Sequence, residues 1–341
     1  MPLLFGRRTN AASSIQKTES NTVKTRRKLL LGTVAICVVV AAAVMARART
    51  EAHRLITNPA ATRKLPRITP AQFQMPFDEV LITNADGLRL AGWYIPSRNR
   101  AAILAQHGLK MTREEMLPAA AALYRHGYGV LLCSVRAHDR SDGEQITFGV
   151  REVRDLEAWY HYLVTRPDVD PGRIGALGNS MGGSLVIQFA AGNTNIKAVA
   201  ADSPFSSLDD TVATSVTHYT GLPAFPFAPL MLFWAKLETG CDLSQVNAKV
   251  WIRQLSPRPI LLMQGGADTT VSSQSGARLF AAAGEPKELW YEPSIGHAQF
   301  ATLMPAYEQR LVAFFDRALG NSRSATSEKQ HTAAQPADPS P

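Results

Sequence analysis

Short apolar runs alternate with amphipathic stretches through the middle of the chain. The apolar runs predict strands at 79–84, 88–95, 101–106, 130–135, 173–178, 196–202, 259–264 and 287–291. Apolar residues at helical spacing predict helices at 113–126, 151–165, from 181, near 273–283 and at 302–318. This alternation predicts an α/β fold, with a mostly parallel central sheet and helices on both faces. Because Asp86-Gly87 is a hairpin signal between the first two strands, we expect that edge to be antiparallel.

One further apolar run, residues 29–46, contains eighteen residues without a charge. As a helix it would cover about 27 Å, close to the ~30 Å core of a bilayer. Basic residues stand on both sides of it, which favours a single-pass transmembrane anchor. A cleaved export signal is the alternative, since Ala46-Arg47-Ala48 has the form of a cleavage site and residues 25–30 resemble a twin-arginine signal. A buried core helix would leave the basic flanks unexplained.

The pattern divides the chain into segments with different roles. We expect a basic N-terminal segment (1–28), the transmembrane or signal segment (29–46), a linker (47–74), a folded domain (75–320) and a disordered tail (321–341). A small cap, residues 205–257, is expected inside the folded domain. The denser basic cluster precedes the apolar segment, which predicts a membrane protein with an extracytoplasmic folded domain, or an exported one if the signal is cleaved.

The net charge of +8 belongs to the N-terminal region. Residues 1–64 hold 12 Lys and Arg against two acids, a net of +10, so the remaining chain has a net charge of −2. A basic stretch beside an apolar segment is typical of membrane insertion, whereas a nucleic-acid-binding domain needs a basic folded surface. We therefore expect a membrane as partner through the N-terminal helix, and no nucleic acid.

The residues Gly178-Asn179-Ser180-Met181-Gly182 form a G-x-S-x-G motif between a predicted strand and a predicted helix. In this context the serine lies on a tight strand-to-helix turn, and the two glycines allow the backbone to fold that closely. An idle serine in a glycine-rich turn is the alternative. The motif predicts that Ser180 is a catalytic nucleophile.

A serine hydroxyl needs a general base and an acid that orients the base. Asp268 follows the strand at 259–264, and His297 follows the strand at 287–291. Both are expected at the same edge of the sheet as Ser180, which predicts a Ser180, Asp268 and His297 triad. Asp202 is the rival acid, because it also ends a strand at that edge.

The loop after the strand at 101–106 reads Gln106-His107-Gly108-Leu109. Its backbone N–H at Leu109, together with that of Met181, is predicted to form an oxyanion hole. His107 is expected to order the loop rather than transfer protons. The sequence contains no metal-ligand spacing and no glycine-rich phosphate loop, so no metal and no cofactor is expected.

These motifs make residues 75–318 resemble an α/β-hydrolase of the serine hydrolase superfamily. The greatest resemblance is to the bacterial branch of serine aminopeptidase-like and prolyl-oligopeptidase-like hydrolases. That family has a D-x-R-G-H-G-x-S-x-G pattern after its fourth strand, and residues 134–143 follow it in part. Arg136, His138, Ser141 and Gly143 match the pattern, whereas Ser134, Ala137 and Asp139 depart from it. The resemblance implies the same triad and oxyanion residues as the motifs.

The expected function is a membrane-tethered serine hydrolase, most consistent with a carboxylesterase acting on a small-molecule or lipid-like ester. A peptidase with the same mechanism acting on peptides is the first alternative. Only residues 47–78 separate the apolar segment from the first strand, which disfavours a propeller-bearing oligopeptidase. A non-catalytic membrane-anchored scaffold is the second alternative. The apolar cap stretch 221–234 predicts either a lid packed on the body or an apolar wall that faces substrate or lipid.

Overall fold

The computed structural model describes residues 9–320, with side chains from residue 24 onward. The chain divides into two units, one ending at Glu51 and the other beginning at Ala52. The predicted tail, 321–341, and the first eight residues of the basic segment lie outside the described residues.

The second unit contains, within the described residues, one eight-stranded sheet. Its order is β1-β2-β4-β3-β5-β6-β7-β8. The strands are β1 (Asp78–Thr83), β2 (Arg89–Ile95), β3 (Ala102–Gln106), β4 (Gly129–Cys133), β5 (Ile174–Asn179), β6 (Ile196–Asp202), β7 (Ile260–Gly265) and β8 (Lys287–Glu292). β2 pairs antiparallel with β1 and with β4, and the pairs from β4 to β8 are parallel. The predicted mostly parallel sheet with an antiparallel first edge is confirmed.

Apart from the N-terminal helix, which precedes the first strand, the helices connect or follow the strands and cover the sheet. They are α1 (Thr9–Ile56), α2 (Leu117–Arg125), α3 (Glu152–Val164), α4 (Met181–Gly192), α5 (Leu208–Thr220), α6 (Ala224–Thr239), α7 (Ala248–Trp251), α8 (Ser275–Ala282), α9 (Phe300–Leu303) and α10 (Tyr307–Leu319). α2 packs against β4 and α10, whereas α4 packs against α3, α7 and β5. β3, β4 and β5 are buried along their whole length, as expected for central strands covered on both faces.

Two predicted helices differ from the observed ones. The single helix expected at 302–318 is interrupted between α9 and α10, because Pro305 cannot donate a backbone hydrogen bond and disfavours helical geometry at Met304. Met304 accordingly has an extended conformation (φ −96°, ψ 112°). The helix expected at 113–126 begins as a 3₁₀ turn, Arg113–Met116, and becomes α-helical at Leu117.

The segment between β6 and β7 contains α5, α6 and α7, where the cap was expected. α5 and α6 pack against each other, and α5 contacts the loop after β7. That contact includes hydrogen bonds from Ser215 Oγ to the Thr270 carbonyl (2.9 Å) and between the Tyr219 and Thr270 hydroxyl groups (2.7 Å). The cap is thereby fixed to the same loop that carries Asp268.

Helix α6 has one buried side and one exposed side. Phe227 and Met231 are buried, whereas Phe225 is 81% exposed and Phe233 is 48% exposed. The buried side is what a lid packed on the body would have. The exposed side leaves the other expectation, an apolar surface toward substrate or lipid, open.

The segment Lys24–Ile56 of α1 is long and apolar enough to cross a membrane. Its large apolar side chains are exposed, with Leu29 and Val39 each at 67%. A buried core helix would not leave these side chains exposed, whereas a membrane anchor and a signal sequence both would.

Candidate active site

Ser180, Asp268 and His297 lie at one edge of the sheet. Each follows a parallel strand: Ser180 comes after β5, Asp268 after β7 and His297 after β8. The carboxyl ends of parallel strands lie at the same edge, where α/β proteins place their ligand sites. The structure thus brings together three side chains that 117 residues of chain separate.

The three side chains form a continuous hydrogen-bonded chain. His297 Nε2 lies 2.7 Å from Ser180 Oγ, and His297 Nδ1 lies 2.8 Å from Asp268 Oδ2. A carboxylate only accepts hydrogen bonds, so Nδ1 is the protonated nitrogen and Nε2 is free to accept the Ser180 proton. The His297 side chain is 22% exposed and that of Asp268 is fully buried.

The backbone at Ser180 has an unusual conformation, with φ 53° and ψ −120°. Non-glycine residues rarely adopt a positive φ, and such strain concentrates at functional sites. The flanking glycines are required by close packing: a Cβ on Gly178 would lie 2.3 Å from the Gly182 carbonyl oxygen, and one on Gly182 would lie 2.3 Å from that of Gln106. The G-x-S-x-G motif therefore has the expected strand-to-helix geometry.

The carboxylate of Asp268 is oriented by its own loop. Its Oδ1 accepts the backbone N–H groups of Thr270 and Val271, each at 2.9 Å. Its Oδ2 is then directed at His297, with a weaker contact from Gln264 Nε2 at 3.4 Å. The acid is held in place before any substrate binds.

Asp202, the rival acid, has a different set of partners. Its Oδ1 accepts the Ser203 hydroxyl at 2.9 Å, and its Oδ2 accepts the Phe300 N–H at 3.3 Å. Its side chain is fully buried, and burial raises the pKa of the carboxyl group to about 7. Asp202 therefore connects the ends of β6 and α9 beneath the site, while Asp268 contacts the imidazole.

The loop 106–109, which was predicted to form the oxyanion hole and is called the oxyanion loop below, lies directly against Ser180. A Cβ built on Gly108 would be 3.4 Å from the Ser180 Cβ. Within the described residues, the N–H groups of Leu109 and Met181 make no hydrogen bond, so both remain available to a ligand. Both are the groups predicted from sequence to stabilise an oxyanion.

His107 is buried and packs against His138, with ring centroids 5.1 Å apart. Its Nδ1 lies 2.8 Å from the Gly108 carbonyl oxygen, and burial lowers the pKa of its imidazole to about 4. Burial likewise lowers the pKa of His138 to about 3. A neutral, buried His107 orders the loop, which agrees with the role predicted from sequence.

A contact within the loop 134–143 explains two of the positions at which the loop departs from the family pattern. Ser134 replaces the pattern's Asp, and Asp139 replaces a Gly, yet the Ser134 hydroxyl donates to Asp139 Oδ2 at 3.1 Å. The same carboxylate lies 3.0 Å from the buried Arg113 guanidinium. Asp139 thus supplies a carboxylate to this loop from a position five residues after Ser134. Ala137 and Asp139 nevertheless keep positive φ values of 60° and 51°.

Sequence reasoning missed Glu115. It lies in the 3₁₀ turn before α2, and its Oε2 accepts the N–H of Gly108 at 2.6 Å. No motif in the sequence marks this residue, because its relation to the oxyanion loop depends on how the turn folds back. Among the described residues, no group of three His, Cys, Asp or Glu side chains could hold a metal ion.

Comparison with known proteins places this geometry in a family. Residues 142–322 match the model of the prolyl oligopeptidase family, a range that includes Ser180, Asp268 and His297. An uncharacterized protein of Mycobacterium tuberculosis is 30% identical over 277 residues, covering 80% of this chain and 89% of that protein. The uncharacterized protein YfhR of Escherichia coli is 27% identical, covering 64% of this chain and 73% of that protein.

A similar solved structure is that of the esterase Pf2001 of Pyrococcus furiosus, with 26% identity and a TM-score of 0.66. The match covers 78% of this chain and 99% of that chain. The fold, the position of the G-x-S-x-G turn and the extent of the family match agree with one another. The chain belongs to the prolyl oligopeptidase family of α/β-hydrolases.

Proposed function

We propose that the chain is a serine hydrolase of carboxylesterase type, with Ser180 as nucleophile, His297 as base and Asp268 as the acid that orients it. The observation that carries the proposal is the continuous chain of short contacts from Ser180 through His297 to Asp268. The unpartnered N–H groups of Leu109 and Met181 beside Ser180 supply the second element that acyl transfer requires.

In the first half of the reaction, Ser180 Oγ attacks the carbonyl carbon of the ester, and its proton moves to His297 Nε2. The carbonyl oxygen becomes an oxyanion, which accepts hydrogen bonds from the Leu109 and Met181 N–H groups. One such donor stabilises the transition state by about 3–4 kcal/mol. The intermediate collapses, the C–O bond to the alcohol breaks, and the alcohol leaves with the proton from His297.

In the second half, water attacks the carbonyl carbon of the acyl-enzyme. His297 Nε2 accepts the proton of the water and then returns it to Ser180 Oγ as the acid leaves. Throughout, Asp268 holds the proton on Nδ1 and stabilises the imidazolium. These side chains and the two N–H groups suffice for the proposed reaction, which requires no organic cofactor or metal ion.

The proposed substrate is a small-molecule or lipid-like ester with an apolar acyl group. The similarity to an esterase at 26% identity supports ester hydrolysis. The apolar side chains of α6 in the cap, which is fixed to the Asp268 loop through Thr270, support an apolar substrate.

A peptidase with the same residues is the second candidate, and the family match favours it. Amides and esters pass through the same tetrahedral intermediate, so the triad alone does not separate the two activities. The distinction depends on how the site binds the leaving group.

We also propose that the apolar helix anchors the protein in a membrane, with the hydrolase domain on the extracytoplasmic side. The charge-free segment and its basic flanks support this location. A topology reporter fused after residue 320 tests it, and reporter activity only in the cytoplasm would contradict it. Sequencing the N-terminus of the mature protein distinguishes an anchor from a cleaved signal.

A fluorophosphonate probe tests the serine mechanism on the full chain in detergent. We expect labelling of the wild type and none of Ser180→Ala; labelling that persists in Ser180→Ala contradicts the proposal. p-Nitrophenyl esters of increasing acyl length, compared with aminoacyl anilides, then separate the two candidates. Turnover of the esters alone supports the esterase, and preferred turnover of the anilides supports the peptidase.

A further inference from the structure

Glu115 is a partly buried carboxyl group beside Ser180 that the proposed triad does not use. Its Oε2 lies 2.6 Å from the N–H of Gly108. A Cβ built on Gly108 would lie 3.4 Å from that oxygen and also 3.4 Å from the Ser180 Cβ. Glu115 and Ser180 therefore both approach Gly108 closely.

The position is electrostatically unfavourable for catalysis. Burial raises the pKa of Glu115, while the positive charges of His297 and Lys64 oppose that rise. Negative charge close to a developing oxyanion opposes its formation. A carboxyl group at this place therefore needs a function that outweighs this repulsion, and its hydrogen bond to Gly108 provides one.

Two successive peptide units of the oxyanion loop are held by separate hydrogen bonds. The 107–108 unit is held at its N–H by Glu115 and at its carbonyl oxygen by Gln106 Nε2, at 3.1 Å. The 108–109 unit is held at its carbonyl oxygen, which lies 2.8 Å from His107 Nδ1 and accepts the Met111 N–H at 3.3 Å. Because a trans peptide is planar, its N–H points away from its C=O, so these contacts also set the direction of the Leu109 N–H.

Gly108 is the joint between the two units, and glycine has the greatest backbone freedom of any residue. Without the Glu115 bond, the 107–108 unit would be held only at its carbonyl oxygen, and rotation about Gly108 would be less restricted. The bond to Glu115 restricts this rotation at the N–H of Gly108. An oxyanion donor is effective only when it is already oriented before the charge develops.

We infer that Glu115 is a positioning residue for the oxyanion hole: by accepting the Gly108 N–H, it orients the Leu109 N–H toward the reacting carbonyl. The inference rests on the proposed serine hydrolase function. It assigns to Glu115 an acceptor role, for which an oxygen atom is required and a negative charge is not.

Three substitutions separate the acceptor from the charge. Glu115→Ala removes the oxygen, Glu115→Met removes it while filling similar space, and Glu115→Gln keeps an amide oxygen in its place. We expect kcat for a p-nitrophenyl ester to fall about 10- to 100-fold in the first two, with KM within about threefold of wild type, since misdirecting one donor costs up to ~10²–10³ in rate. Glu115→Gln should retain kcat within about threefold.

Glu114→Ala is the matched control. Glu114 lies in the same 3₁₀ turn, and its Oε2 also accepts backbone N–H groups, those of Arg67 (2.6 Å) and Ile68 (3.2 Å). These groups belong to the segment before β1, so its loss should leave kcat unchanged. The rate of fluorophosphonate labelling gives a second readout, because phosphonylation uses the same donors; it should slow in Glu115→Met and not in Glu114→Ala.

Three results would overturn the inference. One is a kcat within twofold of wild type in both Glu115→Ala and Glu115→Met. Another is an equal loss in Glu115→Gln, which would indicate that the charge or proton of Glu115 acts directly. A third is an equal loss in Glu114→Ala, which would indicate a general effect of the turn. Ester hydrolysis that persists in Ser180→Ala would instead overturn the proposed function itself.

Discussion

Asp268 and His297 are 29 residues apart in the chain, and their side chains meet at 2.8 Å between Oδ2 and Nδ1. The contact arises because β7 and β8 are adjacent and parallel, so that the loops after them leave the sheet side by side. The backbone N–H groups of Thr270 and Val271 hold the other oxygen of Asp268. The acid is therefore fixed by its own loop, and the imidazole is fixed by the acid.

This contact predicts the effect of replacing the acid. In Asp268→Asn the side-chain amide can place an N–H toward His297, which favours the wrong imidazole tautomer while the backbone contacts to Oδ1 remain. We expect kcat to fall about 10³- to 10⁴-fold with little change in thermal stability. Steady-state ester hydrolysis measures the first effect, and a thermal unfolding midpoint measures the second.

Asp202→Asn is the comparison, because Asp202 also ends a strand at this edge but contacts Ser203 and Phe300. We expect kcat within about tenfold of wild type, since no atom of Asp202 holds the imidazole. A loss of 10³-fold in Asp202→Asn, with an active Asp268→Asn, would show that the acid has been assigned to the wrong residue.

The burial of Asp202 also predicts a pH-dependent stability. Its pKa of about 7 in the folded protein is raised above the usual value, 3.8, so the folded state binds more protons than the unfolded state between these values. The resulting contribution to stability is complete below pH 3.8 and is lost as the pH rises to about 7. Asp202→Asn has no such group and does not lose stability in this way.

We therefore expect the unfolding free energy of Asp202→Asn, relative to wild type, to increase by about 1–2 kcal/mol between pH 5.5 and pH 8. For a domain of this size that corresponds to about 2–4 °C in the thermal midpoint. Taking the difference between the two proteins cancels the groups that titrate alike in both. A difference that stays constant over this pH range would contradict the raised pKa.

The positions of the strands were predictable because each is a short apolar run that ends in polar or glycine residues. Ser180, Asp268 and His297 could be identified for the same reason: each lies in the loop or turn that follows such a strand. The sequence could not decide as clearly whether Asp202 or Asp268 is the acid, since both follow strands at one edge. Only the packing of the loops decides which carboxylate contacts His297.

Two other features depended on geometry that local patterns do not contain. Glu115 reaches Gly108 because the chain turns between Gly108 and Met111, just before the 3₁₀ turn that begins at Arg113. Asp139 substitutes for the missing acid at position 134 because the loop folds back on itself between positive-φ residues. In both cases the partners are close in sequence, but hydrophobic periodicity carries no information about polar contacts within a loop.

That loop offers a stabilising substitution at Ala137. Its φ is 60°, in the left-handed region, where the Cβ of an L-residue costs about 1–2 kcal/mol. Glycine removes this cost but increases the freedom of the unfolded chain, which offsets part of the gain. We expect Ala137→Gly to raise the unfolding free energy by about 0.5–1 kcal/mol.

The control is Ala119→Gly, at a buried position within α2, where the same substitution should lower the unfolding free energy by about 1 kcal/mol. Thermal unfolding of the full chain in detergent measures both variants. Destabilisation of Ala137→Gly to the same extent as Ala119→Gly would mean that the backbone at residue 137 is not strained.

Strain at the nucleophile is tested by comparing two inactive variants, Ser180→Ala and Ser180→Gly. Both remove the hydroxyl group, so neither hydrolyses substrate and neither contacts His297. They differ in the Cβ, which Ala keeps at a φ of 53° and ψ of −120° and Gly lacks. Such a conformation costs about 1–3 kcal/mol for a residue with a Cβ.

After allowance for the greater freedom of glycine in the unfolded chain, we expect Ser180→Gly to be more stable than Ser180→Ala by about 1 kcal/mol, or about 2 °C in the thermal midpoint. The test is which variant has the higher midpoint, because at an unstrained position the glycine variant would be the less stable of the two. If Ser180→Ala unfolds at the higher temperature, the turn does not hold Ser180 in a strained conformation. A higher midpoint for Ser180→Gly would instead show that the conformation that Ser180 adopts lowers the stability of the fold.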